Sequence, residues 1–103
     1  MRNLGKVNLK TGVYKGETDF GYFNGNGQFD FDTGSTYKGN WADNEISGVG
    51  KLNVPSKGKY TGEFKNSKKN GNGSFTWSDG STYTGEWKDD MIWGRVNIKD
   101  VMI

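Results

Sequence analysis

Through most of the chain, apolar and polar residues alternate with a period of two. From Gly71 to Ser78 one parity holds Gly71, Gly73, Phe75 and Trp77, and the other holds Asn72, Ser74, Thr76 and Ser78. A period of two, rather than the roughly 3.6 of a helix, predicts half-buried antiparallel strands with one apolar and one polar face. In Tyr37-Lys-Gly39-Asn-Trp41 the same parity places tyrosine, glycine and tryptophan together on one strand face. No stretch carries the spacing of an amphipathic helix.

The alternation itself recurs. Tyr14, Tyr37, Tyr60 and Tyr83 stand 23 residues apart, and each opens the phrase Tyr-x-Gly-x-aromatic. The later copies end it in Trp41, Phe64 and Trp87, whereas the first keeps Tyr14 and Gly16 but has Thr18 in the aromatic place. After a six-residue gap come Gly25, Gly48, Gly71 and Gly94, and two residues later Gly27, Gly50 and Gly73, with Val96 in the last copy. Phe29, Leu52, Phe75 and Ile98 follow on the same parity, and then Phe31, Val54 and Trp77. A partial copy, Gly5-Lys-Val7-Asn-Leu9-Lys-Thr-Gly12, precedes the first tyrosine. A fixed period of this kind means one supersecondary unit stacked on itself. The boundaries read as a partial repeat at 5–13 and repeats at 14–36, 37–59, 60–82 and 83–103, within a single domain spanning 1–103.

Two strands per repeat predict an all-β fold: an open, twisted, single-layer antiparallel meander of about nine strands, roughly 40 Å across at about 4.8 Å per strand. Asp32-Thr-Gly34 and Ser78-Asp-Gly80 are hairpin-turn sequences, and Pro55 sits at the equivalent place in the second repeat. Glycine between two aromatics leaves a gap on the strand face where a ring can lie flat. The motif aromatics Tyr14, Tyr37, Trp41, Tyr60, Phe64, Trp77, Tyr83 and Trp87 are therefore expected to be mainly structural.

Composition agrees. Only 31% of the 103 residues are hydrophobic, yet 15% are aromatic, so a few large rings must supply the core. With no histidine and no cysteine, cysteine nucleophiles, histidine triads and the usual zinc sites are excluded. The glycine phrases lack the Gly-Lys-Ser/Thr ending of a phosphate loop. Carboxylate pairs such as Asp30 with Asp32 lie on a flat strand face rather than across the cleft a glycosidase needs. We expect no enzyme, no catalytic residue, no metal and no cofactor. A net charge of +2 is too small for a dedicated nucleic-acid binder.

The phrase Tyr-x-Gly-x-Trp/Phe, followed by Gly-x-Gly-x-Phe/Leu at this period, resembles the MORN (membrane occupation and recognition nexus) repeat family. The stretch from Tyr60 to Gly80 is very close to the family consensus, and the likeness runs from about Gly5 to Ile98. It implies a string of β-hairpins without a catalytic site, acting as a scaffold or adaptor that holds proteins together, self-associates or sits near membranes.

Three surface features compete for a role. Phe20, Tyr22, Phe23, Ile46, Met91, Ile92 and Trp93 fall in what read as long connections along one margin. Exposed in register they would form a binding rim; folded back they would finish the core. Lys65, Lys68 and Lys69 form a candidate basic patch for an anionic phospholipid surface, or a solvated edge. Trp41, Trp77 or Trp87 would serve a carbohydrate-binding module if a ring were exposed. The apolar tail Val101-Met102-Ile103 reads as a cap or a dimer contact, and the sheet edges as sites of homo-oligomerisation. The expected partners are an unidentified protein, a second copy or an anionic membrane, with no nucleic acid. Met1-Arg2-Asn3-Leu4 opens no apolar run and no segment could span a bilayer, so cytoplasmic residence is the default expectation.

Overall fold

Alternating parity becomes one continuous sheet. A computed structural model of the chain describes residues 3–92. Nine strands follow one another: β1 (Asn3–Leu9), β2 (Gly12–Asp19), β3 (Tyr22–Phe31), β4 (Thr36–Ala42), β5 (Glu45–Val54), β6 (Gly58–Lys65), β7 (Lys68–Trp77), β8 (Thr82–Lys88) and β9 (Met91–Ile92). Each pairs antiparallel with the next, in the order β1 to β9, as an open sheet. The longest dimension is 46 Å. Trp93 of the expected rim, the break at Val96 and the Val101–Ile103 tail lie outside the described residues.

The register explains the glycines. Gly5, Gly16, Gly27, Gly39, Gly50, Gly62, Gly73 and Gly85 pair strand by strand into a single row across β1 to β8. The tyrosines lie flat over this row. Tyr37 crosses Gly39 of its own strand and Gly50 of the next, so a β-carbon at Gly50 would stand 2.5 Å from Cε1 and Cζ of the ring. The hydroxyls reach past the row and donate to the carbonyl three residues on: Tyr14 to Glu17 at 2.6 Å, Tyr37 to Asn40 at 2.9 Å, Tyr60 to Glu63 at 2.8 Å and Tyr83 to Glu86 at 3.0 Å. That bond satisfies the one polar atom of an otherwise buried ring.

Those same residues hold a bulge. The ladder shifts between Gly16 and Thr18, between Gly39 and Trp41, and between Gly62 and Phe64. At each shift the skipped residue turns its side chain onto a backbone N–H of the next strand: Asn26 donates to Glu17 Oε1 at 2.6 Å, Val49 to Asn40 Oδ1 at 3.3 Å and Asn72 to Glu63 Oε1 at 2.7 Å. A bulge frees a donor, and the Glu or Asn of the motif accepts from it.

Beside the glycine row the rings interlock edge to face. Tyr14 meets Trp41 at 5.4 Å, Trp41 meets Tyr37 at 5.4 Å, Tyr37 meets Phe64 at 5.3 Å and Phe64 meets Tyr60 at 4.9 Å. Trp87 continues the chain to Tyr60 and Tyr83 at 5.4 Å each. Aromatic pairs of this geometry contribute about 0.5–1.5 kcal/mol each beyond area burial. Where the first repeat lacks its aromatic, Phe23 stacks on Tyr14 with centroids 3.7 Å apart. Tyr14, Tyr37 and Tyr60 are fully buried.

The margin differs from the expected long connections. The strands run on to two-residue turns at Phe20-Gly21, Asp43-Asn44, Asn66-Ser67 and Asp89-Asp90, with positive φ at every one of these residues. This is the twist-matched hairpin conformation of type I′. Each later turn is stitched to the preceding repeat by a reciprocal pair of bonds. Asn44 donates its N–H to Phe23 O at 3.0 Å, and Phe23 N–H donates to Asn44 Oδ1 at 2.7 Å. Ser67 does the same with Ile46, at 2.9 and 3.1 Å, and Asp90 with Lys69, at 2.9 and 2.8 Å. These stitches give the 23-residue period a physical cause at the margin.

Candidate functional site

The register assigns each expected site residue to a face. Phe23 and Ile46 do not form an exposed strip: both are only 9% exposed, because their strands continue to the tight turns and carry them over the aromatic face. Ile92 is half-buried against the same core. Phe20, Tyr22 and Met91 are exposed, but Phe20 and Tyr22 sit at the β2–β3 turn and Met91 at the β8–β9 turn, near opposite ends of the sheet. Phe20 is 96% exposed and held at a φ of 51°, which is a strained conformation for a bulky side chain.

The basic patch divides as well. Lys65 and Lys68 oppose one another beside the Asn66-Ser67 turn, whereas Lys69 opposes Phe64 and therefore belongs to the aromatic face. Its Nζ lies 5.8 Å from the Tyr60 ring centroid and 5.7 Å from those of Phe75 and Trp87, and 3.6 Å from Asp90 Oδ1. Lys69 thus occupies the place that Phe23 and Ile46 fill in the earlier repeats, its stem on the rings and its charge at the margin. No three-lysine patch forms.

The tryptophans expected as sugar platforms are equally committed. Trp41 and Trp87 are buried, and their Nε1 groups donate to Gly27 O at 3.1 Å and Gly73 O at 3.2 Å. Trp77 is half-buried and tilted against Phe75 at 4.8 Å. Burial pushes the hydroxyls of Tyr37 and Tyr60 up to about 12, with the Glu63 carboxylate adding to the effect at Tyr60. Among the described residues no three His, Cys, Asp or Glu side chains gather where they could hold a metal ion.

What the face does present is a groove. Bounded below by Phe29, Trp41 and Phe64, it has a volume of about 770 Å³ and runs across the strands from β1 towards β7. Val7, Leu9, Phe31 and Leu52 form its open apolar side, and Asn44, Ser67, Lys69 and Asp90 its polar margin. Val7, Phe31 and Leu52 are only partly covered, since a single-layer sheet has no second layer to pack on them. Phe31 and Leu52 were visible in the sequence as apolar motif positions. Leu52 holds the same motif position as the buried Phe29 and Phe75, and each of the three pairs directly with tyrosines on both sides, so neither sequence nor register separates them.

A family model described as MORN repeat matches residues 14–36, 37–53, 60–82 and 83–95. Among curated proteins none matches the chain.

Proposed function

We propose a role for this chain from the premise that it belongs to the MORN repeat family. The family's modules are generally non-catalytic and associated with protein and membrane interaction. In our reading this chain is a non-catalytic scaffold that binds an apolar segment of a partner protein, or of its own second copy, along the aromatic-face groove. The observation that carries this reading is that Val7, Phe31 and Leu52 stay only partly covered beside a finished ring core. The inner sides of these three residues pack on the ring core, as Phe31 does on Phe29 at 4.7 Å, and their outer sides are left without a covering layer. Apolar surface left over on an open face is what a partner buries.

The experiment is affinity capture from native lysate with the wild-type chain and with Phe31→Lys and Leu52→Lys variants, each checked for fold by circular dichroism. Loss of a shared set of proteins in both variants supports the groove. Unchanged capture in both would refute the groove, and binding to anionic vesicles that Lys65→Glu/Lys68→Glu abolishes would replace it with the membrane reading.

A further inference from the structure

The polar face carries an arrangement that the groove leaves unused. Lys6, Lys15, Gln28, Lys38, Lys51 and Thr61 pair in register across β1 to β6, one position from the glycine row. The four lysines therefore stand in one line on β1, β2, β4 and β5, with Gln28 between them on β3, and all four are exposed. Lys6 directly opposes Lys15, and Lys38 directly opposes Lys51. Like charges facing each other across strands destabilise a sheet. No compensation is built in: among the described residues none of the four forms an ion pair, and the nearby acids Glu17 and Glu63 are turned to the N–H groups of Asn26 and Asn72.

Beside the lysines runs a trough of about 590 Å³. Its floor is the backbone of Gly27, Gly39 and Gly50, one wall is Lys15, Gln28, Lys38 and Lys51 of the lysine row, and the other is formed by Asn26 and Val49. Val49 is 57% exposed. From Lys15 to Lys51 this wall crosses three strand intervals, about 14 Å at about 4.8 Å each. A strand-like peptide lying in the trough projects alternate side chains to one side about every 6.6–7 Å, so three acidic groups would fall within reach of the flexible lysines while the intervening ones face Val49.

We propose that this trough is a second binding site, taking an extended acidic peptide of a partner protein in which acidic and apolar residues alternate. Charge complementarity selects the acidic residues, and the asymmetry of the walls selects a peptide over other polyanions. A bilayer surface presents one uniform anionic plane and gives no role to the Val49 wall. Single-stranded nucleic acid needs aromatic platforms for its bases, and no ring lines this trough. The site is independent of the groove on the opposite face, so one chain could hold two partners.

The test titrates a fluorescent peptide of alternating Glu and Val residues, by anisotropy at several salt concentrations, into wild-type chain, Lys38→Glu/Lys51→Glu and Lys65→Glu/Lys68→Glu. Both variants change net charge equally, but only the first touches the trough. The proposal predicts salt-sensitive binding that falls by about tenfold or more in Lys38→Glu/Lys51→Glu and stays near wild type in the other. The single change Lys51→Glu should also raise Tm by removing a like-charge pair while weakening the peptide, a combination that damage to the fold cannot produce. Equal losses in both double variants, no binding of the peptide, or tighter binding of phosphatidylserine vesicles or a single-stranded oligonucleotide would overturn it.

Discussion

Gly50→Ala adds one methyl group to the middle of the glycine row. The backbone there is extended and accepts any residue, so the effect isolates packing. The new β-carbon would stand 2.5 Å from Cε1 and Cζ of Tyr37 and closer still to Oη. Carbon atoms settle about 3.5–4.0 Å apart, so the ring must lift by about 1 Å or the strands must part. Lifting it breaks the 2.9 Å bond from the Tyr37 hydroxyl to Asn40 O and loosens edge contacts to Trp41 and Phe64. Overpacking costs about 1–3 kcal/mol, and an orphaned buried hydroxyl about 1–3 more. We expect a loss of about 3–5 kcal/mol in urea unfolding followed by tryptophan fluorescence and circular dichroism together. Gly5 lies in the same row, but a β-carbon there meets nothing within 4 Å, so Gly5→Ala should be neutral or slightly stabilising. On a Tyr37→Leu background, with no ring over the glycine, Gly50→Ala should cost less than about 1 kcal/mol because the two sites are coupled. Equal effects of Gly50→Ala and Gly5→Ala would refute the view that glycine is required because the tyrosine lies on it.

Other consequences follow from the same contacts. Tyr37 and Tyr60 ionise near 12 in the folded chain and near 10 when unfolded; stability from them is therefore full below pH 10 and is lost as pH rises from about 10 to 12. The loss is at most about 2–3 kcal/mol per tyrosine, less where solvent screens the charge; tyrosinate absorbance of the folded chain should show two groups titrating near 12, and a smooth titration of all tyrosines near 10 in a folded chain would contradict it. Asn44→Ala removes the acceptor for Phe23 N–H and leaves a non-glycine residue at a φ of 71°. It should cost about 2 kcal/mol in thermal or urea unfolding, and Asn44→Gly, which relieves only the backbone, should recover part of that. Phe20→Asn relieves an exposed aromatic from a φ of 51° and should stabilise by about 1 kcal/mol in the same assay.

Period and parity made the sheet legible. Four tyrosines in one frame require a stacked hairpin, and alternation assigns the faces before any coordinate is known. The margin was not legible, because type I′ turns usually announce themselves with glycine and only Phe20-Gly21 has one. Asp43-Asn44, Asn66-Ser67 and Asp89-Asp90 read as loop polarity, whereas their acceptors bind the backbone 21 residues earlier. An acceptor side chain at the same place in three successive repeats was the available signal. The fate of Phe23, Ile46 and Lys69 followed from that error, since a longer loop would have freed them and a tight turn puts them on the rings. The lysine row was hidden for a different reason. Read along the chain its members are scattered between positions 6 and 51, and only strand register aligns them.

Photocrosslinking in cells tests the central functional claim most directly, with a photoreactive residue placed at Leu52 in the groove or at Ser56 on the exposed β5–β6 turn. The account predicts discrete adducts from Leu52 that Phe31→Lys eliminates, and none of the same mass from Ser56. The same adducts from both positions, or none from Leu52, would contradict a groove that exists to hold a partner.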